Sequence, residues 1–234
     1  MKARRLIATV LMVAVCAGFL YEAGLLGMVV WFNFRNPHNT PVMQDTLNAL
    51  RARDPEARLH HEWVPYDRIS THLKRAVIAS EDSGFVEHDG VEWDAIRKAW
   101  HYNLRQEALG RSRRRGGSTI TQQLAKNLFL SNSRNYLRKG QELILTYMIE
   151  AVMSKRRILE LYLNVAQWGS ATFGAQAAAR HYFKTDAARL SSTQAAQLAA
   201  MLPNPAYYDR HGATGYLRSH AATVRARMSQ VEVP

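Results

Sequence analysis

Three groups of residues in this chain have the types and spacing to do chemistry. Glu81 and Asp82 are adjacent in the run AVIASEDSGFVEHDG, with Phe85 and His88 just beyond. Neighbouring carboxylates repel and partial burial disfavours charge, so one of such a pair gains affinity for a proton and suits a general base. The second group is GGSTITQQLAKN, residues 116–127, where Gln122 and Lys126 are four apart and share a helix face. The third is RKGQE, in which Arg138 and Glu142 are again four apart, a spacing that a plain surface ion pair would also show. Cations at such positions suit an anionic group, arginine through its fork of donors.

Standard catalytic signatures are missing around these groups. HEWVP lacks the second histidine of a zinc protease helix, GGSTI lacks the last glycine of a nucleophile elbow, and no GK[ST] closes a phosphate loop. A single cysteine, Cys16, excludes an intramolecular disulfide framework and an all-cysteine metal site. The 31 basic residues exceed the 19 acidic ones, giving a net charge of +12. That excess points to an anionic partner: nucleic acid, a membrane surface or a phosphate-bearing substrate. Eleven of the basic residues fall between Arg97 and Lys139, against one acid, Glu107. RSRRRGG within that stretch has loop composition and reads as solvated surface or a headgroup contact, whereas Lys126, Arg134, Arg138 and Lys139 bracket the polar motifs.

The elements that must position these groups are mostly helices. Candidates are 70–82, 91–108, 119–130, 135–153, 155–164, 173–182, 192–201 and 215–230. Ser118, Ser154 and Ser191 sit where N-caps belong, the last completing a capping box with Gln194. RLHHEWVPY alternates weakly, with Pro65 interrupting it, so little sheet is expected. Ahead of all this, Lys2, Arg4 and Arg5 precede an apolar stretch from Leu6 to Tyr21, which resumes after Glu22 and runs from Ala23 to Phe34. About 20 residues cross the hydrocarbon core, and basic residues before the span favour a cytoplasmic N-terminus. A span starting near Leu6 places Glu22 towards the far interface. No small-x-small cleavage site followed by a polar start is evident, so an uncleaved anchor is expected. The expected organisation is an anchor over 1–34, a linker or entry segment over 35–60, and a globular domain over 61–234.

Five segments in order complete the pattern: AVIASEDSGFVEHDG, GGSTITQQLAKN, RKGQE, KRRILELYLN at 155–164 and GAQAAARHYF at 174–183. Together they closely resemble the successive signature motifs of the peptidoglycan glycosyltransferase family, the transglycosylase module of class A penicillin-binding proteins. The resemblance runs from about Glu62 to Pro205. No S-x-x-K or K-T-G signature of a transpeptidase follows before Pro234, so the expected match is the monofunctional branch. The resemblance implies a mainly α, lysozyme-like, two-lobed helical glycosyltransferase domain carried on one N-terminal transmembrane helix. It implies lipid II and the growing glycan strand as substrates, at the inner membrane with the catalytic domain periplasmic. It maps the catalytic base to Glu81 and a second catalytic or leaving-group-organising carboxylate to Glu142, with Lys126 and Arg134 as diphosphate binders. Asp82, Phe85, His88, Ser118, Thr119, Gln122, Gln123, Asn127, Arg138 and Lys139 fill the implied substrate-binding set.

That chemistry suits these residues. A sugar alkoxide leaves poorly and needs a proton donor, whereas a diphosphate leaves well once its charge is countered, so one base and a cluster of cations suffice. No cofactor is required; a divalent cation, Mg or Mn, travelling with the diphosphate is the one candidate, and no protein metal site is expected. His88, Gln123 and Asn127 read equally as scaffolding, Gly84, Gly90 and Gly117 as backbone devices, and Leu128 and Phe129 as either lipid contact or core. Proteins of cell-wall synthesis or division are candidate partners. A lytic transglycosylase of similar fold is the rival enzyme, disfavoured by the cations around Lys126 and Arg134; a nucleic-acid binder is disfavoured by the span.

Overall fold

A computed structural model of the chain describes residues 2–111, 116–130 and 136–234. Its first element, α1 (Lys2–Phe34), is one unbroken helix of 33 residues that runs through Glu22. From Leu6 to Leu20 its large apolar side chains stand exposed, and its stretch Arg4–Phe34 is long and apolar enough to cross a membrane. Beyond Tyr21 a stripe of residues at 22, 25, 29 and 32 turns towards the rest of the protein, with Val29 fully buried.

The helices of the domain are α2 (Pro41–Arg51), α3 (Thr71–Glu81), α4 (Trp93–Ala108), α5 (Ile120–Phe129), α6 (Tyr136–Val152), α7 (Lys155–Val165), α8 (Ala175–Phe183), α9 (Ser192–Met201), α10 (Pro205–His211) and α11 (Gly215–Arg227). Two short strands, β1 (His60–His61) and β2 (Thr172–Phe173), pair in parallel. The mainly α expectation holds, and the sheet is as small as the sequence suggests. Helices α2 and α10 were not among the expected helices. Both open on proline at the first turn, where its missing N–H costs nothing, and the Thr40 side chain caps α2.

Two sets of helices pack around the core. In one, α3 lies against α9 and α11; in the other, α5 lies against α6, α7 and α2, and α1 docks on α6. The α3 sequence explains its place, since Leu73, Ala76, Val77 and Ile78 fall on a buried stripe of helical period. Ser70 caps α3 through the His72 N–H and donates its own hydroxyl to Leu190 O at 2.9 Å, which ties the start of α3 to the segment entering α9. Leu128 is buried in the core and Phe129 packs at a tilt against Phe32 of α1, with centroids 5.8 Å apart and rings 53° from parallel, so both belong to packing rather than to lipid.

The caps at Ser154 and Ser191 form as expected, the latter as a full capping box with Gln194. The cap of α5 sits one residue later than expected, on Thr119 instead of Ser118. The Thr119 hydroxyl accepts the Gln122 N–H while the Gln122 side chain accepts the Thr119 N–H at 3.0 Å.

Candidate active site

A cleft of about 630 Å³ opens between the two sets of helices. On one wall stand Ser80 and Glu81 from the end of α3, with Leu202 and Pro203 after α9. The other wall carries Gly116 and Ser118, then Gln122, Gln123 and Lys126 of α5, then Arg138, Lys139 and Glu142 of α6. The three sequence groups thus converge on one space, brought there by the ends of three helices.

Glu81 is the last residue of α3 because Asp82 leaves helical geometry, with φ −163° and ψ 76°. One Glu81 carboxylate oxygen accepts the Gln123 side-chain N–H at 2.8 Å, and the other faces the Ser80 hydroxyl at 3.4 Å. Burial raises its proton affinity above the ordinary 4.5, outweighing those hydrogen bonds, and the Asp82 charge adds to the rise. Gln123 is itself held: its carbonyl oxygen accepts the hydroxyl of the fully buried Tyr162 at 2.9 Å, which fixes its NH₂ towards Glu81. Tyr162 was not singled out from the sequence, although it lies in KRRILELYLN; an aromatic residue on an apolar helix reads as plain core.

Asp82 points the other way. It is buried, accepts the Ile120 backbone N–H at 3.0 Å with one oxygen, and meets His88 Nε2 at 2.8 Å with the other. A carboxylate at the first turn of α5 answers both the orphan N–H groups and the helix dipole. The Gly90 N–H donates to His88 Nδ1 at 3.1 Å, so the ring proton sits on Nε2 and is donated to Asp82. The Asp82 carboxylate raises the affinity of His88 for a second proton, but taking it at Nδ1 would cost the Gly90 bond. Gly90 has φ +84°, and a Cβ there would come within 2.7 Å of both Glu150 and Thr146, so no other residue fits the turn. Phe85 is fully buried and stacks under the Lys155 ammonium, 4.8 Å from its ring centroid. Asp82, Phe85 and His88 therefore brace the cleft from behind instead of lining it.

On α6, Glu142 is buried, with one oxygen 2.8 Å from Arg138 and the other taken by Lys139. Lys139 also donates to the Ser118 hydroxyl at 3.2 Å, linking α6 to the loop before α5. Glu142 thus holds two cations at the cleft wall. Gln122 is committed to the α5 capping box while its side chain reaches the cleft, Thr119 donates to Gly90 O at 2.6 Å, and Asn127 is buried within α5. Arg134 lies outside the described residues.

Another residue overlooked in the sequence, Asn164, closes the same motif as Tyr162. Fully buried, it accepts the Val64 N–H at 2.9 Å and donates to Val64 O and Glu160 O, stitching the β1 segment to α7. A polar residue at the end of an apolar helix stripe was the available signal.

Asp82, His88 and Glu92 lie close enough to hold a metal, with ligand atoms within 4.8 Å of one another. Both His88 nitrogens and both Asp82 oxygens are already committed, so this set does not fit a resident cation.

Comparison with known proteins shows the family. Residues 47–229 match the family model described as Transglycosylase. The chain is 64% identical over 230 residues to the "Biosynthetic peptidoglycan transglycosylase" of Bordetella pertussis, covering 98% of this chain and 95% of that protein. Proteins of the same name from Aromatoleum aromaticum and Herminiimonas arsenicoxydans are 51% and 49% identical, each over at least 96% of both chains.

Proposed function

The chain belongs to the transglycosylase family and is a peptidoglycan glycosyltransferase, and we propose that it polymerises lipid II into glycan strands at the outer face of the cytoplasmic membrane. The observation that carries this reading is the cleft itself, where a half-buried carboxylate of raised proton affinity shares one space with three cations.

Glu81 takes the proton from the 4-hydroxyl of the acceptor sugar as that oxygen attacks the anomeric carbon of the donor, which inverts. Gln123, locked by Tyr162, keeps the carboxylate aimed. Lys126, Arg138 and Lys139 counter the charge that develops on the departing diphosphate, so no proton donor is needed on that side. Arg134 is assigned to the same diphosphate by its place after the QQLAKN run. Glu142 organises the leaving group through Arg138 and Lys139 rather than acting as a second base, since both of its oxygens are engaged. An Mg or Mn ion carried by the diphosphate would add to these cations; no step depends on it.

The N-terminal helix holds the cleft at the surface where a polyprenyl-linked donor resides, and Lys2, Arg4 and Arg5 favour its N-terminus in the cytoplasm. The test is to incubate purified full-length protein with lipid II in vesicles, with penicillin present. Glycan strands and free polyprenyl diphosphate are expected. Release of fragments from finished sacculi, with no polymer from lipid II, would instead make it a lytic enzyme.

A further inference from the structure

An ionisable residue inside a membrane-crossing helix is costly unless it has a partner and a purpose. Glu22 has the partner: its carboxylate accepts the side-chain N–H of Gln141 at 3.1 Å. Gln141 is the residue before Glu142, on the helix that carries Arg138 and Lys139 into the cleft. Glu22 also heads the inward stripe of α1, followed by Leu25, Val29 and Phe32 at alternating steps of three and four, the seam spacing of packed helices. At the far end of that stripe Arg157 of α7 donates to Phe32 O at 2.8 Å and Arg35 O at 2.9 Å, closing the C-terminus of α1.

The helix is therefore fixed to the domain at two points ten residues apart, about 15 Å along its axis. Its 33 residues extend about 50 Å, well beyond a hydrocarbon core of about 30 Å. A span of about 20 residues beginning at Leu6 ends near Leu25, so Glu22 lies within a turn of the outer boundary. Its bond to Gln141 then fixes the start of α6 at headgroup height, which is where the diphosphate of a polyprenyl-linked donor sits.

We infer that Glu22 is a positioning residue: through Gln141 it sets the height of the Arg138–Lys139–Glu142 helix over the bilayer, so that the anchor aligns the cleft with the substrate diphosphate as well as tethering it. This rests on the lipid II reading above.

The test compares full-length wild type, Glu22→Leu, Glu22→Gln, Gln141→Leu and the Glu22→Leu/Gln141→Leu double variant, each assayed on lipid II in vesicles and in detergent micelles. In vesicles Glu22→Leu should lower kcat about tenfold, the equivalent of about 1.4 kcal/mol in the barrier. Gln141→Leu should match it, and the double variant should be no worse than either single one. Glu22→Gln, which can still accept the bond, should recover most of the rate. In micelles, which impose no fixed plane, the loss should largely vanish. Equal losses in both media, additive losses in the double variant, no rescue by glutamine, or a normal rate for Glu22→Leu in vesicles would each overturn the inference. Wild-type protein inactive on lipid II in both media would instead overturn the functional reading beneath it.

Discussion

Asp82→Asn should damage the fold behind the cleft by an amount that can be worked from its contacts. Asp82 is buried and accepts two donors, the Ile120 N–H at 3.0 Å and His88 Nε2 at 2.8 Å. Asparagine offers one oxygen and one NH₂, so one of those donors must face another donor. Moving the ring proton of His88 to Nδ1 relieves that clash but creates a new one with the Gly90 N–H, now 3.1 Å from Nδ1. One buried donor is left unsatisfied in either case, costing about 1–3 kcal/mol. Loss of the negative charge at the first turn of α5 adds roughly 0.3–1 kcal/mol. The expected total is about 1.3–4 kcal/mol, which lowers the melting temperature of a domain this size by roughly 3–16 °C. Thermal melts followed by circular dichroism in detergent measure it. A variant melting within about 2 °C of wild type would refute the bracing role and return Asp82 to the substrate side of the cleft.

Single variants and truncations probe the rest of the site. Because the folded state binds a proton at Glu81 more tightly than the unfolded chain does, ionising it costs stability that grows as pH rises above the ordinary 4.5. Glu81→Gln should therefore melt above wild type near about pH 7, with the gap closing as pH falls towards that value; equal melting at neutral pH would count against a desolvated carboxylate. Lys126→Ala should lower kcat/KM roughly 10- to 100-fold, for one lost charge-assisted contact of about 1.5–3 kcal/mol, with unchanged melting and weaker inhibition by polyprenyl diphosphate. Deleting residues 2–21 should leave the melting temperature in place, whereas deleting 2–40 should lower it by several degrees, since Val29 is fully buried and Leu25 and Phe32 pack on the core.

The sequence was most legible where a periodic pattern and a cap agree. Helices α3 to α9 and α11 lie close to their expected limits, and the cap signals at Ser154 and Ser191 acted as written. Helix α2 was hidden because Pro37 and Pro41 suggest a linker, while Pro41 in fact occupies the first helical turn. The convergence of Glu81, Lys126, Arg138 and Glu142 followed from recognising ordered motifs, because nothing local to any one of them specifies a shared cleft. Local pattern was equally silent on which way a side chain turns at a helix end. Glu81 and Asp82 are adjacent and chemically alike, yet one faces the cleft and the other the start of α5, a choice made by the tertiary position of Ile120 and His88. The role of Glu22 was likewise out of reach, since its partner is 119 residues away in the chain.

The central claim is that Glu81 is the base of a glycosyl transfer. The most direct measurement is the rate of lipid II polymerisation by Glu81→Gln beside wild type. Glutamine can keep both contacts of the carboxylate, its oxygen accepting from Gln123 and its NH₂ donating to the Ser80 hydroxyl, but it cannot accept the proton. The rate should fall by about 10²- to 10⁴-fold in a protein that melts no lower than wild type. A variant that still polymerises at about a tenth of the wild-type rate or better would contradict the assignment.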